Sequence, residues 1–277
     1  MPLPALPVLL ACPPATPNPA VTVEVVRTAI MHGDWSQVVD DGTRGPVDLP
    51  ALVGIIHHPD ATILVDSGLG LESRAGRYPR FPLTLLGDVT VPEGEAIVER
   101  LPEPPDLVLM THLHYDHVGG LLDLPGVTVW TTDEDWRTYG GLAIGFPPRL
   151  RNGVDWRPQD MGAGRATQVL GRPAVDVLGD GSIWYLSLPG HTPGAAAVLV
   201  RAEDGPWLFV GDTAWVDQHL AGARRPWLTR TIIDARIREE ARSLDWARWM
   251  KAECPELRVI AGHEPSLSAG IASTPRP

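Results

Sequence analysis

Basic residues are in short supply: 23 lysines and arginines face 34 aspartates and glutamates, a formal net charge of −11. A nucleic-acid groove needs cationic surface to displace counterions, so that class of partner is excluded. A small anionic substrate is not, because bound cations would dominate the field of a local site. Cysteine is scarcer still, with only Cys12 and Cys254. Two thiols make no disulfide framework, and Cys254, just before Pro255 at the end of a helical pattern, reads as a packed thiol. No run approaches the ~20 apolar residues of a membrane span. The first twenty residues hold seven prolines and neither lysine nor arginine, which excludes an ordinary signal peptide with a charged start. Residues 1–20 therefore read as an extended or disordered tail, followed by one domain over 21–277. Gly-x-Ser-x-Gly does not occur, so no serine sits on a nucleophile elbow. Phenylalanine is nearly missing, three against ten tryptophans, and indole is left to fill most aromatic core positions.

What is present is concentrated in six residues. Positions 112–117 read His-Leu-His-Tyr-Asp-His, after the apolar run Leu107-Val108-Leu109-Met110 and before Val118-Gly119-Gly120. Alternate residues of an extended segment point to one side, so His112, His114 and Asp116 can face one cavity. Imidazole and carboxylate are ligands that borderline divalent metals prefer. Packing so many polar groups at the mouth of a core is costly unless something binds them. A plain polar loop of mutually bonded histidines does not explain three further strand ends of the same design. Gly190-His191-Thr192-Pro193-Gly194 follows the strand-like Trp184-Tyr185-Leu186-Ser187-Leu188. Trp207-Leu208-Phe209-Val210-Gly211 delivers Asp212, and Arg258-Val259-Ile260-Ala261-Gly262 delivers His263. Five histidines (His112, His114, His117, His191, His263) and two aspartates (Asp116, Asp212) exceed the four ligands of one tetrahedral zinc. Seven suit two metals with one bridging carboxylate, a hydrolytic arrangement that holds a hydroxide between ions ~3.5–4 Å apart.

Together these motifs resemble the metallo-β-lactamase-fold hydrolase superfamily, whose signature is His-x-His-x-Asp-His followed by a distal His, an Asp and a final His. The resemblance runs from about residue 21 to about residue 265. Asp66, in Ile63-Leu64-Val65-Asp66-Ser67-Gly68, is similar to the superfamily's early aspartate, which supports the site without usually binding metal itself. The resemblance implies an α/β fold: a four-layer αββα sandwich of two mixed β-sheets flanked by helices, with the metals at one edge. By the family pattern His112, His114 and His191 hold the first metal, Asp116, His117 and His263 the second, and Asp212 bridges. The expected cofactors are two divalent transition metal ions, zinc foremost, with Mn, Fe or Co as supply dictates. Asp116 is the expected catalytic group, passing a proton to the leaving group.

Within the superfamily, Thr111 through Gly120, the early His58-Pro59 and the Gly-His-Thr-Pro-Gly turn are similar to the N-acyl-homoserine-lactonase-like branch. That branch commonly places a tyrosine three residues after the bridging aspartate. Here the position is Trp215, which donates one N–H but cannot act as an acid. The resemblance implies opening of a lactone or cleavage of a carboxylic ester by a hydroxide shared between the metals. A glyoxalase II-like thioesterase shares most of the ligand set but expects a C-terminal helical extension for which the residues after His263 leave no room. Classical β-lactamases mostly lack a bridge equivalent to Asp212. A non-enzymatic metal-binding protein on the same fold is the third reading, and the intact ligand set counts against it. The expected partner is a small-molecule substrate, and a homodimer is compatible with the sequence. The expected compartment is the cytoplasm. The alternative is an exported lipoprotein lipidated at Cys12, because Leu9-Leu10-Ala11-Cys12 is similar to a bacterial lipoprotein cleavage site.

Periodicity predicts a strand over 21–30 and a hairpin of 53–56 with 62–65, with His57 and His58 exposed at its turn. Residues 71–92 read as a long excursion, followed by a short helix within 92–101. A second helix spans 132–139, capped by Thr132, and the clearest runs over 234–253, capped by Asp234, with Trp246 and Trp249 on the sheet. The stretch 140–175, rich in Gly, Pro and Arg, breaks any period and joins the two halves. Tyr78, Phe81, Phe146 and Trp215 are expected as apolar walls of a substrate pocket.

Overall fold

Apolar strands pair into two mixed sheets in a computed structural model that describes residues 12–13, 18, 20–80, 83, 87–140, 146, 149–162 and 166–268. The first sheet contains β1 (Thr22–Asp34), β2 (Pro46–His58), β3 (Ala61–Val65), β4 (Asp88–Thr90), β5 (Leu107–Leu109), β6 (Thr128–Thr132) and β7 (Asp155–Gln159), in the order β4-β1-β2-β3-β5-β6-β7. The second contains β8 (Thr167–Val169), β9 (Arg172–Asp176), β10 (Ile183–Ser187), β11 (Ala196–Ala202), β12 (Gly205–Phe209) and β13 (Arg258–Ile260), in the order β13-β12-β11-β10-β9-β8. β3, β5, β6 and β7 pair in parallel, as do β12 and β13; the other pairings are antiparallel. The hairpin of β2 and β3 pairs His58 with Ala61 across Pro59 and Asp60, as the turn residues predict.

The sheets meet face to face. Ile56, Ile63, Val65 and Leu109 of the first pack with Tyr185, Val198, Val200, Phe209 and Ile260 of the second. Strands buried on both faces read as continuous apolar runs rather than alternations, as in Ala196-Ala197-Val198-Leu199-Val200. Outside the second sheet lies the helix Ile237–Glu253, which presses Leu244, Trp246, Ala247 and Met250 onto Leu186, Leu199 and Leu208. The first sheet is covered by Leu113, Val118, Leu121, Phe146 and Leu150. Two mixed sheets flanked by helices are the predicted αββα layers.

Several expectations are corrected. The stretch 140–175 is not a structureless joint: it supplies β7, β8, most of β9 and the helix Leu150–Gly153. Such short strands, with Pro158 and Pro173 inside them, carry no legible period. In the 71–92 excursion, Leu71–Arg74 forms one helical turn and β4 pairs with the edge of β1. The long helix begins at Ile237, with Arg236 at its N-cap, so Asp234 is not the cap. Cys254 is not a packed thiol. It forms a disulfide with Cys12, 242 residues away, with Cα atoms 5.5 Å apart. Sequence spacing cannot show that a residue near the start returns to a helix end. Among the described residues, no helix is long and apolar enough to cross a membrane.

Candidate metal centre

Chain ends of β3, β5, β12 and β13 converge at one edge where the two sheets meet. Leaving β3, the backbone turns through Asp66 with φ of 61°, the left-handed region that strains a residue bearing a Cβ. Three hydrogen bonds hold it there. Asp66 accepts from the Thr111 N–H and hydroxyl, each at 2.7 Å, and from His117 Nδ1 at 2.8 Å. After β12, Gly211 turns with φ of +50°, and a Cβ there would lie 2.6 Å from the Thr111 hydroxyl oxygen. Glycine lets the Asp212 turn approach the His112 strand this closely.

Four imidazoles are oriented through Nδ1. His117 donates to Asp66, His191 to Asp234 Oδ1 at 2.9 Å, and His263 to the Pro50 carbonyl at 2.9 Å. His112 Nδ1 lies 3.2 Å from the Thr111 hydroxyl, whose own hydrogen goes to Asp66. Since these partners can only accept, each ring carries its proton outward and turns the Nε2 lone pair inward.

The inward atoms form two groups, His112, His114 and His191 in one, Asp116, His117, Asp212 and His263 in the other, each spanning no more than 4.8 Å. Asp212 faces both. Its Oδ1 is 3.0 Å from His263 Nε2 and 3.2 Å from His117 Nε2, while Oδ2 is 3.3 Å from His191 Nε2 and 3.9 Å from His112 Nε2. Asp116 Oδ2 lies 3.5 Å from His263 Nε2, and His114 Nδ1 lies 3.0 Å from His191 Nε2.

Lone pairs pointed at carboxylate oxygens repel unless positive charge lies between them. Among the described residues, Nε2 of His112, Nε2 of His117 and Oδ1 of Asp212 are buried without a hydrogen-bond partner. Orphaned polar atoms of this kind are costly, and cations would satisfy all three. A donor set of imidazole nitrogen and carboxylate oxygen fits divalent transition metals. Without a cation, the carboxylates draw protons onto the second group instead. Burial pulls the His117 pKa down, yet Asp66, Asp212 and Asp116 outweigh it and hold it well above the ordinary value. His263 is raised too, against burial, mainly by Asp212. His112, buried, and His114, half-buried, both desolvated beside other imidazoles, are pushed well below the ordinary value and stay neutral.

A buried aspartate ties the two loops of the first group together. Asp135 accepts from Leu113 N at 3.2 Å and Gly194 N at 2.9 Å, and burial raises its pKa to about 6. Behind His191, Asp234 and Glu240 share the buried Arg225. Asp135, Asp234, Arg225 and Glu240 escaped the sequence reading because each resembles an ordinary helix-end or helix-surface charge. Only Asp66, which directly ends an apolar strand, announced itself.

The expected substrate wall is largely corrected. Trp215 does stand beside the ligands, but its indole N–H donates to Asp212 Oδ2 at 2.8 Å. Tyr78 is only 6 % exposed, packed with Leu69 and Val91, its hydroxyl donating to the Tyr115 carbonyl. Phe146 is buried against Trp136 and Trp156. Both rings fill core volume, where an aromatic side chain buries much apolar area. Phe81 lies outside the described residues. Tyr139, half-buried, meets His114 edge-on at 5.5 Å and is the aromatic that sequence reasoning missed. His58, expected to be exposed, has a side chain only 6 % exposed and bonded to Asp180 at 3.0 Å.

Residues 46–263 match the family described as the metallo-beta-lactamase superfamily. The chain is 27 % identical over 263 residues to N-acyl homoserine lactonase AttM of Azorhizobium caulinodans, covering 86 % of this chain and 90 % of the relative. Among solved structures, an N-acyl homoserine lactone hydrolase with N-hexanoyl-L-homoserine at its catalytic metal center superposes with a TM-score of 0.68 at 16 % identity, over 92 % of this chain and 97 % of that one. AidC, a dizinc quorum-quenching lactonase, gives 0.54 at 12 % identity, over 89 % and 88 %. At these identities the structural likeness shows the fold.

Proposed function

This chain belongs to the metallo-β-lactamase superfamily and is a metal-dependent hydrolase, and we propose that it opens lactones, with carboxylic esters as the nearest alternative substrates. The observation that carries the proposal is Asp212, whose two oxygens each face one group of inward-turned imidazoles. His112, His114 and His191 would hold one ion, Asp116, His117 and His263 a second, with Asp212 between them. When bound, such a pair of divalent ions acidifies water and polarises the carbonyl under attack. The lactone substrate class is supported by the likeness to AttM, and zinc by the likeness to AidC.

The residues themselves divide the work. Nδ1 hydrogen bonds to Asp66, Asp234 and Pro50 fix the imidazole rings before substrate arrives, so little reorganisation is left for the reaction. Asp116 turns Oδ2 to the second group, and its other carboxylate oxygen is left to take the proton that the attacking water loses and return it to the ring oxygen when the acyl–oxygen bond breaks. Water and lactone thus become a hydroxy acid. Trp215 spends its single N–H on Asp212, so it orients the carboxylate rather than the substrate.

Ligands arriving from both sheets support reading 21–277 as one domain. The Cys12–Cys254 bond supports an oxidising compartment over the cytoplasm, and a sulfur so engaged is not free to carry a lipid. The deciding experiment is a substrate panel: acyl-homoserine and aliphatic lactones, aryl esters, S-lactoylglutathione, phosphodiesters and a chromogenic β-lactam. Lactone turnover should lead. Turnover of the thioester alone would replace this reading with a glyoxalase II-like one.

A further inference from the structure

We propose that Arg225 is a positioning residue that acts chiefly on one half of the metal centre, the His112, His114 and His191 group, and reaches the other half only through the shared Asp212 and Trp215. The proposal rests on reading these groups as metal ligands. Arg225 is charged yet only 3 % exposed. Its Nη1 donates to the Asp212 carbonyl at 2.8 Å, and its Nη2 donates to Asp234 Oδ1 at 2.8 Å and Glu240 Oε1 at 2.9 Å. The same Asp234 oxygen accepts from His191 Nδ1 at 2.9 Å. The guanidinium also lies 5.0 Å from the centre of the Trp215 ring, whose N–H holds Asp212 Oδ2.

One side chain therefore reaches Asp212 twice, through its main chain and through the indole, and reaches His191 through Asp234. In the other group the rings are oriented through Nδ1 elsewhere, His117 by Asp66 and His263 by Pro50, and the link to Arg225 is indirect, through Asp212 Oδ1 and through the Trp215 carbonyl that accepts from His263 N at 2.8 Å. The planar fork explains the residue type: arginine can serve three acceptors at fixed angles and stack on an aromatic face, where a lysine ammonium cannot do both. Charge points the same way. Two carboxylates share one guanidinium, and Asp234 in turn accepts from His191 Nδ1, which leaves Nε2 aimed inward as a ligand for a cation.

The test counts metal ions. Full-length wild type, Arg225→Met, Arg225→Lys and Asp234→Asn are stripped, reloaded with Zn²⁺ against a competing chelator, and analysed for metal per chain and for affinity. Thermal unfolding of the metal-free proteins is recorded alongside. Wild type should hold two ions. Arg225→Met should keep one tightly and bind the other at least about tenfold more weakly, with Arg225→Lys intermediate. In a His263→Ala background, where only the first group is intact, Arg225→Met should weaken the remaining ion at least about tenfold; in a His191→Ala background the weakening should be clearly smaller. A folded Arg225→Met that holds both ions at wild-type affinity, or loosens both equally, overturns the proposal. If Arg225→Met shows no cooperative unfolding, Asp234→Asn decides: one-site weakening supports the inference, and unchanged binding of two ions sinks it. Wild type holding fewer than two ions would instead bring down the metal reading on which the inference stands.

Discussion

Among the described residues, Asp212 is the carboxylate that faces both ligand groups, with Nε2 atoms 3.0 to 3.9 Å from its two oxygens. Asp212→Ala should lower turnover by at least ~10²-fold and reduce the metal bound per chain, because the joint between the groups is gone. Full metal content with retained activity would refute the bridging role. A different residue sets a pH limit. His219 is fully buried, its Nε2 donating to the Val38 carbonyl and its Nδ1 accepting from Trp215 N. Burial, with Arg225 nearby, lowers its pKa to about 4. The folded protein thus excludes a proton that the unfolded chain takes up near the ordinary value of about 6.5. The stability linked to this group is fully present above that value and is lost as pH falls towards 4, up to about 3 kcal/mol. Metal-free wild type and His219→Gln, unfolded by urea at pH 7 and pH 5, should differ in acid sensitivity, with the variant the less sensitive. Parallel curves would show that His219 is not the responsible group.

The helix Asp133–Tyr139 acts as a clasp at the scale of elements. Its cap, Thr132, accepts from Asp135 N at 3.2 Å and donates to the Gly194 carbonyl at 2.6 Å. Asp135 then receives N–H bonds from the His112–His114 segment at Leu113 and from the loop of His191 at Gly194. Both Asp135 oxygens accept, so the amide of Asn would turn an N–H towards an N–H. Asp135→Asn should therefore destabilise the metal-free protein by ~1–3 kcal/mol in urea unfolding, despite its matching shape. An Asn variant as stable as wild type would show that the clasp carries no load.

Across the whole molecule, the disulfide is one long-range tie and bound metal would be another. Cys12 and Cys254 close a loop of 242 residues, a constraint worth up to about 5 kcal/mol in the chain-entropy account. Under denaturing, non-reducing conditions the purified protein should take up no alkylating reagent, and Cys12→Ser should lower its melting temperature by several degrees. Uptake at both cysteines would mean that the bond does not form. Removing metal should act in the same direction, since ions that bind only the folded chain stabilise it by mass action. A chelator should lower the melting temperature, and restored Zn²⁺ should recover it. A melting curve indifferent to chelation would oppose the metal centre as a whole.

The sequence by itself determined the strand ends that matter and the chemistry they carry. His112, His114, Asp116, His117, His191, Asp212 and His263 are legible because each follows an apolar run with turn residues around it, a local pattern that needs no knowledge of distant contacts. The hairpin at Pro59-Asp60, the Thr132 cap and the helix read over 234–253, apart from its start at Ile237, are legible on the same ground. Only the tertiary structure decided how those groups are aimed and held. Pro50 can be seen to orient His263, 213 positions away, and Arg225 to join Asp212 with Asp234, only once both sheets are assembled. Tyr78 and Phe146 become core, and Asp234 becomes a partner of His191 rather than a helix cap, for the same reason. Local propensity is written along the chain, whereas burial and hydrogen-bond partnership belong to residues that meet only after folding.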